Sequence, residues 1–350
     1  MLSPAAIKQR AAGLGFDLCG ISAADSFPEL QFLPEWLSRG YAGEMQYMEK
    51  SAHTRADIRH FLPSAKSVIV TGTIYNTDQG SGTRDPGAVK VARYARGEDY
   101  HVVLYERLES LLAWMREQTD RPFEAAIFCD KHHVQERVYA QHAGIGWIGK
   151  NSCVIHPELG SWMFLAGIAI SVDLPSDAPV VDQCGSCTLC IDACPTGALV
   201  DARELDATKC ISYLTIETHG EIPQDMRPLI GQHVWGCDIC QDVCPFNLGS
   251  SLTSDPAWNG PIRDGLSAAH LWQQSDDEIH ERINGSAITF VPVSRLRRNL
   301  AIVIGNSGDR ELADALDRPG HGVKNAARST LTPAVQDAVA WAKQRLLHES

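Results

Sequence analysis

In this chain of 350 residues, the cysteines are the residues whose types and spacing can do chemistry. Cys184, Cys187, Cys190 and Cys194-Pro195 form C-x2-C-x2-C-x3-C-P. Each two-residue spacer turns the chain back on itself. Three thiolates can then grip one face of a 4Fe–4S cubane, while the fourth reaches a second cluster. A partner run should exist, and Cys237, Cys240 and Cys244-Pro245 supply C-x2-C-x3-C-P. That run lacks its first member, for which Cys210 is the natural substitute. The crossed assignment puts Cys184, Cys187, Cys190 and Cys244 on one cluster and Cys194, Cys210, Cys237 and Cys240 on the other. Two adjacent clusters make a wire for single electrons, and something at its end must use them.

The competing reading is a pair of zinc sites built from C-x2-C pairs. Zinc ribbons need neither a third cysteine at the same spacing nor paired Cys-Pro endings, whereas bacterial ferredoxins have both, so the cluster reading is preferred. No C-x3-C-x2-C occurs, which argues against a radical-SAM cluster. Cys19, Cys129 and Cys153 stand among apolar neighbours and read as small buried hydrophobes.

These thiols need a frame. Ser3-Pro4 reads as an N-cap with Pro at the first helical position, opening a helix to about Gly13. Residues 67–75, β-branched and apolar, read as a buried strand. Residues 100–118 carry leucines at helical spacing. Residues 123–130 read as a strand ending in an acid, and 136–143 as a helix stopped by Gly144. The Gly-punctuated stretch 144–151 reads as a loop, with Lys150 and Asn151 as candidate phosphate or amide binders or, more plainly, as a tight turn that needs its glycines. Residues 152–156 and 162–171 read as further strands. The expected architecture is an α/β domain over 1–175, a cluster-bearing domain over 176–250 and a helical region over 251–350. In that last region 309–316 and 333–347 are the clearer helices, candidates for the remnant of a repeat of the HEAT kind.

A chain this long should hold two or three structural units and bury its core without disulfides. The net charge of -12 argues against indiscriminate nucleic-acid binding. It leaves room for a local basic patch. Arg93 and Arg96, and Arg295, Arg297 and Arg298, are candidates, with a solvated helix face as the plainer reading. No charged-then-apolar leader is read, and the longest strongly apolar run, 162–170, is too short to span a bilayer. The expected setting is the cytoplasm, where eleven cysteines point to metal or redox sites.

Several segments carry a resemblance. They are Cys129-Asp130, Glu136-Arg137, residues 144–152, residues 156–162, residues 210–217 beginning Cys210-Ile211-Ser212-Tyr213, and residues 236–245. Together they resemble the epoxyqueuosine reductases over roughly residues 1–250, and more distantly the reductive dehalogenases. The resemblance implies a nitroreductase-like α/β domain holding cobalamin, followed by a ferredoxin-like domain with two 4Fe–4S clusters. It implies reduction of epoxyqueuosine to queuosine at the tRNA wobble position, an external low-potential electron donor, and a monomer. No D-x-H-x-x-G stretch occurs, so no histidine is expected to replace the lower axial base of the cofactor.

Removing an epoxide oxygen as water takes two electrons and an acid. Asp130 matches the family's acid and is the expected proton donor, its pKa raised by a cavity beside a bulky macrocycle. The plainer alternative is an Asp capping the next helix. Where the family has a small residue and then proline after this acid, this chain has Lys131-His132-His133. The matching motifs imply cobalamin contacts from Arg55, Asp130, Asn151, Ser152, His156, Ser161 and Trp162, and from Ser212, Tyr213, Trp235 and Asp238. Trp162 and Trp235 could equally be core aromatics. Arg295, Arg297 and Arg298 become candidate phosphate contacts. Two rivals stay open: a cobalamin-dependent reductase of a small molecule, and a ferredoxin-type electron carrier with no chemistry of its own.

Overall fold

The computed structural model describes residues 2–77, 85–260, 265–320 and 331–348. The strands used below are β1 (Leu18–Ala23), β2 (Ser67–Ile74), β3 (Lys90–Val91), β4 (Ala125–Phe128), β5 (Trp147–Ile148), β6 (Val154–Ile155), β7 (Met163–Ile170), β8 (Leu199–Asp201), β9 (Glu204–Leu205) and β10 (His233–Trp235).

The first sheet runs in the order β1-β2-β7-β4, with every neighbouring pair antiparallel. All of β2 is buried, because it is apolar on both faces and helices cover both. Ile69 and Ile168 face the helices Pro4–Gly13 and Tyr100–Glu117, while Val68, Val70 and Ala169 face the helix Glu136–His142. The helix Tyr100–Glu117 buries Leu104, Leu108, Leu111, Leu112 and Met115, one stripe at three- and four-residue spacing. Its N-cap is Asp99, whose carboxylate accepts the His101 N–H.

Several local expectations need correction. Ser3 makes no side-chain cap, although Pro4 does open the first helix. The strand expected over 123–130 is only Ala125–Phe128, and β1 was not anticipated. The Gly-punctuated stretch is not all loop: Trp147 pairs with Ile155 and Ile148 with Val154. A Cβ at Gly146 would stand 2.3 Å from the Ile155 carbonyl oxygen, and one at Gly149 would stand 2.4 Å from the Ile155 side chain. The glycines are there for close approach as much as for turning.

A second core joins the cysteine-bearing segment to the C-terminal helices. Ile211, Leu214, Val234 and Trp235 pack with Leu300, Val303, Val335 and Ala342, and with Val89 and Val91 from far upstream. β3 pairs in parallel with β10. The helix Val293–Asn306 is buried nearly all round and packs against Pro333–His348. The helix expected over 309–316 is instead two 3-10 turns, Arg310–Ala313 and Ala315–Asp317. Asp309 caps the first, and turns this short wind tighter than an α-helix. Among the described residues, no helix is long and apolar enough to cross a membrane.

Candidate active site and cluster cradles

The two cysteine runs meet through two short helices. Leu189–Asp192 carries Cys190, Ile239–Asp242 carries Cys240, and they pack together. The Cys190 thiol lies within electrostatic reach of Cys184 and Cys244, and Cys244 within reach of Cys184. Cys237 feels Cys210 and Cys194, while Cys240 feels Cys237 and Cys210. Cys187 closes the first loop, its N–H donating to the Cys184 carbonyl at 3.1 Å. All eleven cysteines are free thiols. N–H groups already point at sulfur: Trp147 Nε1 at Cys184 Sγ and Ala198 N at Cys194 Sγ, each 3.3 Å. Such donors stabilise thiolate, the form a metal cluster binds. Among the described residues, no three or more His, Cys, Asp or Glu side chains gather as tightly as a single metal ion requires.

Cys19 and Cys129 belong to the sheet core, as expected of small hydrophobes. Cys153 does not. Its thiol is hydrogen-bonded to Cys240 and lies near Cys210 and Cys244. No spacing signal links residues 87 positions apart.

Asp130 stands just beyond β4 with φ 42°, a left-handed conformation that few non-glycine residues adopt. Such strain recurs at functional sites. The Asp130 N–H donates to Glu136 Oε1 at 2.5 Å, which fixes the turn. Tyr100 donates its hydroxyl to Asp130 Oδ2 at 2.7 Å, and His101 Nε2 lies 3.2 Å from the same oxygen. The other ring nitrogen of His101 lies 2.6 Å from Asp99 Oδ1. The Asp130 side chain is 61% exposed, yet charged and phenolic groups of Arg55, Tyr47, Tyr94 and Glu217 surround it. An exposed carboxyl ringed in this way lies in a concavity between those side chains.

The expected upward shift of Asp130 is corrected. Burial pushes its carboxyl up, but the hydrogen bonds from His101 and Tyr100 and the Arg55 charge outweigh it, leaving the pKa below the ordinary range. His101 moves the other way. Burial lowers it, but Asp130 and Asp99 together raise it. Glu136 is pushed up to about 8 by burial and by the Asp130 charge. Asp99, Tyr100 and His101 were missed by sequence reasoning, although an Asp directly ahead of a helical run was a legible N-cap signal.

The other expected contacts fall into two groups. Arg55 ends the short helix Ala52–Arg55, with Nε on Ser51 Oγ at 2.8 Å. Ser152 has φ 64° and offers its carbonyl to Arg137 at 2.6 Å. His156 Nδ1 accepts the N–H groups of Glu158 and Leu159, each 3.2 Å, and burial holds its pKa down. Ser212 lies two residues past Cys210 on the helix Ile211–Ile216. Asp238 Oδ2 accepts the Arg93 N–H at 2.8 Å. Asn151 donates to the Cys240 carbonyl at 3.4 Å, and Lys150 to the Gly185 and Cys187 carbonyls at 2.7 and 2.9 Å. Both residues fasten cysteine loops.

The second group supports the site from behind. Trp162 and Trp235 are fully buried core aromatics, and the Trp235 indole N–H is directed at the Tyr94 hydroxyl at 3.1 Å. Ser161 is buried against Gln241 and Asn247. Tyr213 accepts the Glu44 N–H at 2.7 Å and holds that loop. Arg297 and Arg298 are buried; Arg297 pairs with Asp276 and main-chain carbonyls and Arg298 with main-chain carbonyls and Asn299, so they are not phosphate contacts. Arg96 is likewise buried on the Val91 carbonyl. Arg295 does reach a cavity of about 460 Å³, lined also by His219, Glu221, Ser294 and Pro333.

This arrangement defines a reductase class: two cluster cradles, and an acid in a concavity near them. Residues 55–131 match the family described as epoxyqueuosine reductase QueG, and 183–247 match a 4Fe-4S double cluster binding domain. The chain is 42% identical to the epoxyqueuosine reductase of Gloeobacter violaceus over 87% of this chain and 97% of that one. It is 36% identical to the Escherichia coli epoxyqueuosine reductase over 96% of this chain and 87% of that one. A crystal structure of an epoxyqueuosine reductase with an epoxyqueuosine-modified tRNA-Tyr stem loop superposes with TM-score 0.87 at 30% identity, covering 98% of this chain and 89% of that one. The Bacillus subtilis enzyme, with its catalytic aspartate loop swung out of the active site, gives TM-score 0.84 at 28% identity, covering 98% and 90%. The chain belongs to the epoxyqueuosine reductase family.

Proposed function

We propose that the chain reduces epoxyqueuosine to queuosine at the wobble position of tRNA, the last step of queuosine formation, with Asp130 as proton donor. The observation that carries this is the Asp130 carboxyl, open to a concavity and ringed by groups that hold and supply protons. The eight cysteines are read as the crossed ligands of two 4Fe–4S clusters, which deliver electrons singly. The stem loop bound by a similar enzyme supports a tRNA substrate. The wobble base would be splayed out of a single-stranded loop, a modest cost. Of Arg295, Arg297 and Arg298, Arg295 is the candidate for phosphate; Glu217 feels both Arg295 and Asp130, which supports a cavity near the acid.

Cobalamin is read from the family resemblance, and the residues present fit it. Tyr94 feels both Asp130 and Asp238, so the acid and the cysteine-bearing segment approach one space. Arg55, Asp130, Asn151, Ser152, His156, Ser212 and Asp238 would hold the cofactor, with Ser161, Trp162, Tyr213 and Trp235 behind them. When bound, it supplies low-valent cobalt able to act as nucleophile or reductant. In this reading residues 1–175 form a nitroreductase-like domain, 176–250 a ferredoxin-like domain and 251–350 a helical region. The protein works as a cytoplasmic monomer fed by an external low-potential donor.

The test is a nucleoside digest. Anaerobic protein, cobalamin, a low-potential reductant and tRNA bearing epoxyqueuosine are combined, and the digest is read by mass spectrometry. Loss of one oxygen from the modified base is expected. No conversion with both clusters intact and cobalamin bound would sink the tRNA reading.

A further inference from the structure

We propose that His101 is the proton store of this site, loading Asp130 during turnover, and that Asp99 fixes its ring for that transfer. The inference rests on the reading of Asp130 as proton donor. Converting an epoxide to an alkene breaks both carbon–oxygen bonds, consumes two electrons and two protons, and releases water. The clusters supply the electrons. One carboxyl carries one proton, so Asp130 must be refilled within a turnover if both pass through it.

The geometry offers a refilling route. Asp99 Oδ1 lies 2.6 Å from His101 Nδ1 and also accepts the His101 main-chain N–H at 3.0 Å. The ring is therefore held by a residue that is itself fixed as a helix cap. Nε2 points to Asp130 Oδ2 at 3.2 Å, and the Tyr100 ring stacks on the imidazole at 4.0 Å. Among the described residues, both side-chain hydrogen bonds to Asp130 land on Oδ2, which leaves Oδ1 for an incoming oxygen. The His101 side chain is 15% exposed against 61% for Asp130. A substrate base filling the concavity would seal Asp130 from water, so a second proton must come from the protein side.

The charges agree with this order. Asp99 and Asp130 flank the imidazole and favour its protonated form, while Asp130 itself is held ionised. Lys131 faces Asp99, and Arg55, Tyr47, Tyr94, Glu136 and Glu217 face Asp130. Tyr100 donates to Asp130, and its pKa is pushed far above the phenol range by burial and by Asp130, so it stays protonated. Of the two side chains hydrogen-bonded to the Asp130 carboxylate among the described residues, Tyr100 and His101, His101 is the one that can both hold and release a proton near neutrality.

The experiment compares wild type, His101→Gln, Asp99→Asn and Asp130→Asn in single-turnover reduction of epoxyqueuosine tRNA across pH, with tRNA and cobalamin affinities measured alongside. His101→Gln should slow reduction by about 100-fold, the scale of a lost acid–base group, with added imidazole restoring part of it and both affinities unchanged. Asp99→Asn still caps the helix but removes one charge from the imidazole, so the basic limb of the pH profile should move to lower pH. A His101→Gln rate and profile equal to wild type, with Asp130→Asn inactive, would overturn the store while leaving Asp130 in place. A fully active Asp130→Asn would overturn both. A loss in His101→Gln that imidazole does not restore, and that tracks weakened cobalamin or tRNA binding, would make His101 structural and end the proposal.

Discussion

Arg93 lays its guanidinium over the Trp162 indole, 4.0 Å from the ring centroid, and turns its main-chain N–H to Asp238 at 2.8 Å. Its Nη2 also pairs with Asp242 at 2.9 Å. One residue thus ties the sheet core to the second cysteine run. Arg93→Ala keeps the N–H but loses the ring contact and an exposed ion pair, together about 2 kcal/mol. A fall of a few degrees in the anaerobic melting temperature, with iron content unchanged, is expected.

A second tie runs through Asn247. It donates to Ser161 Oγ and the Gln241 carbonyl at 2.9 and 2.7 Å and accepts the Ser161 N–H at 2.7 Å. Beside it, Gly160 has φ 72°, and a Cβ there would stand 2.2 Å from Asn247 Oδ1. Gly160→Ala combines a left-handed backbone with a collision, and should be worse than Asn247→Ala, which strands buried groups at about 1–3 kcal/mol. Denaturant midpoints of the two variants would reveal the opposite ranking if the joint were loose.

The crossed ligation proposed above has an arithmetic consequence. Cys194→Ser with Cys237→Ser touches one cluster only, so about four irons should remain. Cys190→Ser with Cys194→Ser, four residues apart in one run, touches both clusters, and iron should fall toward zero. Iron analysis and low-temperature EPR of the reduced proteins distinguish this from uncrossed ligation, which predicts the reverse.

Arg298 is a buried cation that donates to neutral oxygens, those of Leu214, Thr218, Gly220 and Asn299. Burial pushes its pKa down to about 9. The cost of burying the charge is offset by tying Ile211–Ile216 and the loop after it to the C-terminal helices. Arg298→Leu frees those carbonyls in a dry place and should destabilise by about 3 kcal/mol or more. Arg298→Lys, with one compact donor group, should recover only part of the midpoint shift on thermal unfolding.

Glu136 carries a pH dependence of definite sign. Its folded pKa is about 8, above the ordinary 4.5. A raised carboxyl contributes stability that is whole below the unfolded pKa and is lost as pH rises through the folded one. Stability should therefore decline between about pH 4.5 and 8, and Glu136→Gln should flatten that part of the curve. Denaturant midpoints across this window, wild type against variant, provide the check.

What the sequence made legible is what depends on near neighbours. The cysteine spacings, the leucine stripe of residues 104–115, the β-branched run of β2 and the acid after β4 could all be read locally. What stayed hidden depends on the chain returning. His101 meets Asp130 across 29 residues, and Cys153 meets Cys240 across 87. The arginines at 297 and 298 look like a basic surface in one dimension. Only the packed helix shows their guanidinium groups turned inward onto carbonyls. Trp162 and Trp235, drawn to the cofactor by motif, are explained better by their place in the two cores.

The pairing of Val91 with Trp235 bears on how the molecule is made. On the ribosome, β3 emerges with its sheet partner still unsynthesised, and Trp258, which packs in the core with Ile7 and Leu104, comes later still. At ordinary translation speeds that wait is on the order of ten seconds. During it a nascent chain holds an open strand edge and an incomplete apolar bed, the state in which chaperones bind and aggregation begins. A fragment ending near residue 175 would remain in that state for good.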